Sequence, residues 1–202
     1  MVGEQLRNRG IRDQRVLGAM SEVPREPFVS PADGPRAYGD FPLPIGSGQT
    51  ISQPYMVAVM LERLQLQPQD RVLEVGTGTG YEAAVLGRLA AQVWTVERQP
   101  ELASRAQEIL TQLGYSNIHV VEGDGSRGLP ELAPFDKILV AAAAPRIPSA
   151  LLQQLAEGGR LVVPVGSPHE QQLRVVRKIG DTLEVAGGDP CRFVPLVGEQ
   201  GW

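Results

Sequence analysis

Apolar residues fall at different spacings along the chain, and each spacing predicts a different element. Over Arg71–Val75 they are continuous and β-branched, the pattern of a buried strand, and over Tyr81–Leu89 they recur at helical intervals. The alternation continues with strands at 92–96, 117–121, 135–140 and 160–165 and helices at 100–113 and 149–156. Strands and helices in that order predict an α/β fold, a Rossmann-like doubly wound and mostly parallel sheet with helices on both faces. After residue 166 the grammar changes. Segments 172–179 and 182–185 flank Gly180-Asp181, a hairpin signal. With a last strand at 192–197 they predict an antiparallel C-terminal edge.

The first 70 residues read differently. Residues 1–23 predict one or two short helices broken at Gly10, with Ile11, Val16, Leu17, Met20 and Val23 as a packing stripe. Over residues 24–49, Pro24, Pro27, Pro31, Pro35, Pro42 and Pro44 interleave with Gly34, Gly39, Gly46 and Gly48, a density at which no regular element is expected. Phe28, Tyr38, Phe41, Leu43 and Ile45 make this stretch apolar, so it predicts a packed lid over a binding site. A chain of 202 residues suits one well-buried domain. Within it, 1–70 is expected to form the N-terminal helices and substrate lid, 71–166 the cofactor-binding core, and 167–202 the C-terminal strands.

The chemistry concentrates between the first core strand and its helix. Gly76, Gly78 and Gly80 sit at that strand-to-helix turn, where α/β sheets bind nucleotides and where glycine permits positive φ and close backbone approach. Glu97 ends the next strand, in the place where a Rossmann unit holds ribose hydroxyls, and an ionised carboxylate accepts from a diol. Asp124, in Glu122-Gly123-Asp124-Gly125 after the third core strand, is placed to take an adenine amino group. A nicotinamide or flavin site is the rival. Its fingerprint requires glycine at position 81, which is tyrosine here. Glu74, at the strand end beside the loop, would repel a diphosphate yet favour the ammonium and sulfonium of S-adenosylmethionine. The bland alternative makes the glycines turn formers and the acids solvated strand ends.

Composition narrows the partners. The net charge of -4 gives no footprint for nucleic acid, whose binding rests on neutralising phosphates. Cys191 is the only cysteine, which excludes an intrachain disulfide and a thiolate zinc site and suits a reducing compartment. The N-terminus lacks a signal-peptide core, and no apolar run approaches the roughly 18 residues of a membrane span. The expectation is a cytoplasmic monomer with no metal, nucleic-acid or membrane partner. His119 and His169 have no paired acid and read as packing or surface. Arg36, Arg146 and Arg192 are candidates to attract a substrate carboxylate, and Gln172 and Phe193 to line the substrate side.

The lid ends in Pro42-Leu43-Pro44-Ile45-Gly46-Ser47-Gly48-Gln49-Thr50-Ile51-Ser52-Gln53-Pro54. That segment, with Val23-Pro24-Arg25, Ala133-Pro134-Phe135-Asp136, Gly158-Gly159-Arg160-Leu161-Val162-Val163-Pro164-Val165-Gly166 and Phe193-Val194-Pro195-Leu196, resembles the protein-L-isoaspartate (D-aspartate) O-methyltransferases over nearly the whole chain. The resemblance implies methyl transfer from S-adenosylmethionine to the α-carboxylate of an L-isoaspartyl residue in a damaged protein or peptide, giving S-adenosylhomocysteine. The ester then closes to a succinimide that can reopen to normal aspartate, which makes the reaction a repair step. It also implies cofactor contacts at Gln49, Thr50, Ile51, Ser52, Val57, Gly76 to Gly80, Glu97, Arg98, Asp124 and Gly125, and an active-site serine at Ser52. One departure is the alanine run 141–144, which family members often begin with threonine.

Ser52 carries two readings. Ahead of Met56, Val57, Met60, Leu61 and Leu64 it looks like a helix N-cap, whereas the resemblance makes it the residue that orients the substrate carboxylate. A capping hydroxyl can still donate its proton. The acceptor carboxyl, with an ordinary pKa of about 4, is already ionised at neutral pH, so the reaction needs placement more than a base. Two other functions stay open: an adaptor that binds the cofactor without transferring methyl groups, and a methyltransferase acting on RNA or a small metabolite.

Overall fold

The computed structural model describes residues 1–202. Short turns at Val2–Leu6 and Arg7–Arg9 end at Gly10, whose φ of 103° is left-handed, and α1 follows over Gln14–Glu22. Asp13 caps α1 by accepting from the amides of Arg15 and Val16 at 2.8 and 3.2 Å. The expected stripe from Ile11 to Val23 is buried throughout.

The proline-rich stretch holds more regular structure than its composition predicts. Two 3-10 turns, Glu26–Phe28 and Pro31–Arg36, lead into an antiparallel hairpin of β1 (Leu43–Gly46) and β2 (Gln49–Ile51). Two strands suffice because each is an edge, so the missing amide of Pro44 removes nothing a further strand would need. Gly46 and Gly48 supply positive φ at the turn. Leu43 and Ile45 point inward and are buried, whereas Tyr38 and Phe41 remain over a third exposed. The hairpin runs directly into α2 (Pro54–Leu64).

The core is a seven-stranded sheet. Its strands are β3 (Arg71–Val75), β4 (Gln92–Glu97), β5 (Ile118–Glu122), β6 (Phe135–Val140), β7 (Leu155–Gly166), β8 (Gln171–Ile179) and β9 (Thr182–Cys191). Their order is β5-β4-β3-β6-β7-β8-β9, parallel from β5 to β7 and antiparallel from β7 to β9. Successive residues face opposite sides. Val72, Val93, Leu139 and Val162 join one core with α1, α2, α3 (Tyr81–Leu89) and α4 (Pro100–Gln112), while Leu73, Val75, Ile138, Val140 and Leu161 face the other with α5 (Ser149–Gln153). From β3 the chain steps outward to β4 and β5, then crosses back to β6 on the other side. The C-terminal ends of β3, β4 and β6 therefore surround a topological switch point, where open α/β sheets bind ligands.

The structure departs from the expected elements in three places. The helix expected at 149–156 stops at Gln153, because Leu155 already pairs with Phe135 as the start of β7 and is buried. Sheet pairing overrides the local helical pattern. The strand expected at 192–197 is absent apart from a single bridge between Ala143 and Pro195. Ala143 bonds Val194 and Leu196 at 2.8 and 2.7 Å, and Pro195 between them has no amide with which to extend a ladder. The Gly180-Asp181 hairpin forms, with its second strand reaching Cys191 rather than Val185.

Candidate active site

A crevice opens at the switch point. Its walls are Val75, Gly76, Thr77 and Gly78 at the end of β3 and just beyond it, Val96, Glu97, Arg98 and Gln99 at the end of β4 and just beyond it, Gly125 after β5, and Ala141 and Ala142 after β6. Gln49, Thr50, Ile51, Ser52 and Val57 close it from the lid and α2, and residues 194–197 close it from the C-terminal tail. The turn geometry follows from the glycines. Gly76, Gly78 and Gly80 have φ of 99°, 55° and 90°, all left-handed. At Gly125 a Cβ would lie 2.5 Å from Cγ1 of Val75, so the crevice wall there tolerates only glycine.

The loop amides decide between the rival cofactors. Gly76 and Thr77 donate to the Val96 carbonyl at 2.9 and 3.4 Å, Gly78 donates to Glu97 Oε2 at 2.9 Å, and Gly80 donates to the Thr77 carbonyl at 2.8 Å. A diphosphate site needs such amides pointing at the ligand. Here they are engaged within the protein, and an acid, Glu82, stands in the first turn of α3. Glu97 is buried, held by Gly78 and by the Gln99 amide at 3.0 Å, and lines the crevice, where each carboxylate oxygen keeps a further lone pair for a donor.

Three expected contacts lie elsewhere. Glu74 does not line the crevice. The pleat puts it on the face of Val72, wholly buried beneath α3, where it accepts from the Thr95 hydroxyl. Burial, with Glu82 and Glu97 nearby, holds its carboxyl well above the usual range, which disfavours the negative charge expected of it. Gly80 caps α3 and packs against α4, where its Cβ would lie 3.2 Å from Leu110. Asp124 is turned away from the crevice. It accepts from the Ser126 amide and hydroxyl at 3.0 and 2.7 Å and from the Glu199 amide at 2.8 Å, fastening the C-terminal tail. Those bonds outweigh the opposing effect of burial and lower its pKa.

Ser52 stands where the crevice meets a second cleft. Thr50, Ser52, Ala141, Val194 and Pro195 line both, and the cleft continues past Pro42, Gln53, Met56, Cys191, Arg192 and Phe193. The N-cap of α2 is Gln53, not Ser52. Asp40 of the lid serves that end instead, accepting from the Tyr55 amide at 3.2 Å and from the Gln53 side chain at 2.8 Å. The Ser52 backbone is fixed by Arg25, a fully buried guanidinium that donates to the carbonyls of Ala37 at 2.7 Å and Ser52 at 3.0 Å and lies 4.4 Å from the Tyr81 ring centroid. Sequence reasoning noticed Arg25 only within a matched motif. It overlooked Glu82 entirely, and the signal available was an acid among the apolar positions of α3. Arg36 pairs with Asp33 on the surface and Arg146 is exposed, which leaves Arg192 as the arginine of the cleft.

A Rossmann-like sheet with this crevice, an acid at the end of β4 and a glycine loop whose amides face inward defines an S-adenosylmethionine-dependent methyltransferase. The particular family follows from comparison with known proteins. The family model described as Protein-L-isoaspartate(D-aspartate) O-methyltransferase matches residues 1–201. A protein-L-isoaspartate O-methyltransferase of Koribacter versatilis is 62% identical over 202 residues, covering 100% of this chain and 91% of that protein. One from Roseiflexus sp. is 57% identical, covering 96% and 89%. Among solved structures, a protein-L-isoaspartate O-methyltransferase superposes with a TM-score of 0.88 at 31% identity, over 100% of this chain and 67% of that one. Another, from Plasmodium falciparum in complex with S-adenosyl-L-homocysteine, gives 0.85 at 28% identity, over 97% and 96%. The chain belongs to the protein-L-isoaspartate(D-aspartate) O-methyltransferase family.

Proposed function

We propose that this chain methylates the α-carboxylate of L-isoaspartyl residues in damaged proteins and peptides, with S-adenosylmethionine as donor. One observation carries the assignment of roles: the donor crevice and the tail-walled cleft meet at Ser52. Glu97, Arg98, Gln99 and Gly125 hold the adenosine end, and Thr50 to Ser52 border the end at which transfer occurs. Bound there, the donor supplies an electrophilic methyl group. The protein's part is placement. The isoaspartyl carboxylate is already ionised at neutral pH, so no base is required. The Ser52 hydroxyl donates to one carboxylate oxygen and turns the other towards the crevice, and the hairpin β1–β2 keeps water from the pair. Arg192, at the open side of the cleft, draws the anionic substrate in.

The proposal extends to the division of the chain, with the first 70 residues as N-terminal helices and substrate lid, 71–166 as cofactor-binding core and 167–202 as the C-terminal antiparallel strands, whose end walls the acceptor cleft. It also extends to a cytoplasmic monomer without nucleic-acid or membrane partners. The net charge of -4 weighs against a nucleic-acid partner, and no helix is long and apolar enough to cross a membrane.

Matched peptides differing only in isoaspartate or aspartate at one position, offered with labelled donor, test the acceptor. Label is expected in the isoaspartyl peptide alone. Equal labelling of both, or of neither, refutes the assignment, and methylation of an RNA or a metabolite in their place would favour the alternatives.

A further inference from the structure

The donor crevice contains an acid to which the reaction just described gives no task. Glu82, in the first turn of α3, lines the crevice with only 7% of its surface exposed, and its Oε1 is buried without a hydrogen-bond partner. Buried polar atoms are seldom left unpaired, and one that faces a ligand crevice is open to a partner supplied by the ligand. The neighbours do not supply the partner. Arg25 faces Glu82 from the segment after α1, and its charge favours the ionised acid, but no hydrogen bond joins the two: two guanidinium nitrogens donate to the Ala37 and Ser52 carbonyls and the third, Nη1, is itself unpaired. Glu74 faces it from β3 as a second buried acid, and Tyr81 faces it from its own helix. Both oxygens of Glu97, the other acid of the crevice, already accept from backbone amides.

We infer that Glu82 binds the α-ammonium group of the donor's methionyl tail, the task that the sequence pattern assigned to Glu74. This rests on the donor assignment above. With adenosine at Glu97 and the sulfur beside Ser52, where the acceptor cleft opens, the tail that branches from the sulfur runs along the glycine loop to the first turn of α3. An ammonium has N-H groups to give Oε1, whereas the sulfonium has none. Free of ligand, burial pushes the Glu82 carboxyl up to about 8, so at neutral pH it carries a proton. Taking up a cation requires that proton to leave. Binding of any ligand with the tail is therefore coupled to release of about one proton at pH 7.

Calorimetry at pH 7, in two buffers of different ionisation enthalpy, tests this with S-adenosylhomocysteine, which has the tail, and 5′-methylthioadenosine, which lacks it. The wild-type protein is expected to release a proton on binding the first and none on binding the second. Glu82→Gln should weaken S-adenosylhomocysteine about tenfold or more, as loss of a charge-assisted hydrogen bond does, abolish the proton release, and leave methylthioadenosine unchanged. Wild-type binding of S-adenosylhomocysteine without proton release overturns the inference and leaves the donor assignment standing. Equal weakening of both ligands in Glu82→Gln overturns it too, since the contact would not be with the tail. If the wild type binds neither ligand, the donor assignment fails and the inference with it.

Discussion

The donor crevice and the acceptor cleft share Ser52 but are built from opposite materials. The crevice is framed by strand ends whose side chains are buried: Val75, Thr77, Val96 and Glu97 are almost out of solvent, and their positions are set by the parallel ladder. The cleft is framed by loops and by tail residues around Cys191 to Pro195, and Pro42, Pro168, Pro190 and Arg192 on its rim are exposed. Its neighbouring strand β9 is exposed along nearly its whole length. A small, invariant ligand can be met by fixed groups, each placed to a fraction of an ångström. A protein segment of variable sequence cannot, so its site is open and grips only what all substrates share, the carboxylate. Rigidity on one side and access on the other is the division that the reaction requires.

The largest effect is expected from breaking the rigid side. Gly125→Val drives side-chain atoms into Val75, where even a Cβ would lie 2.5 Å from Cγ1. Overpacking of that kind disrupts the local backbone. Binding of S-adenosylhomocysteine should weaken by more than about a hundredfold, the equivalent of roughly 3 kcal/mol. Retention of affinity within a few-fold would mean that the wall is not as fixed as the packing indicates.

At the shared point the effect should be smaller and one-sided. Ser52→Ala removes a hydroxyl whose hydrogen bond to a charged group contributes about 1.5–3 kcal/mol. Turnover of a saturating isoaspartyl peptide should fall about tenfold to a hundredfold, with S-adenosylhomocysteine affinity nearly unchanged by titration. Unaltered turnover would remove Ser52 from the mechanism, and a parallel loss of donor affinity would move it to the donor side.

The gentlest probe is pH, which acts on the rigid side through its buried acids. Glu82 keeps its proton up to about 8 in the folded chain, against an ordinary value of 4.5, and Glu74 is raised in the same direction. Between those limits the folded state binds protons that the unfolded chain releases, so stability is greatest at the acid end of the window and falls as pH rises towards 8. The slope is on the order of 1 kcal/mol per pH unit for each such group. Urea midpoints measured from pH 5 to pH 8 should therefore decline, and decline less in Glu82→Gln. Identical slopes in the two proteins would show that Glu82 does not carry the effect.

The same division governs how much of the molecule was legible from its residues. Short-range patterns revealed the parallel core, because a buried strand must be apolar on both faces and a helix must repeat near 3.6 residues; β3, α3, β4 and β6 stand almost where the spacing puts them. Glycines at 76, 78 and 80 marked the donor loop for a local reason, their backbone conformation. The segment from Pro42 to Pro54 pointed to the acceptor through family resemblance, not through periodicity.

Tertiary contacts decided the rest. Whether Glu74 or Glu82 faces the ligand depends on which side of the sheet α3 covers, and no neighbour in sequence reports that. Asp124 reads as a ligand group until the tail folds back and places the Glu199 amide on it. Ser52 reads as a helix cap until Asp40 takes that end of α2. In each case the local chemistry offered two partners, and the choice fell to a residue that only the fold brings near. The sequence by itself determined the fold, the methyl donor and, by likeness, the acceptor. Which carboxylates are charged, and which face the reaction, was decided by burial and long-range packing, since the ionisation of a carboxyl depends on the groups around it in space.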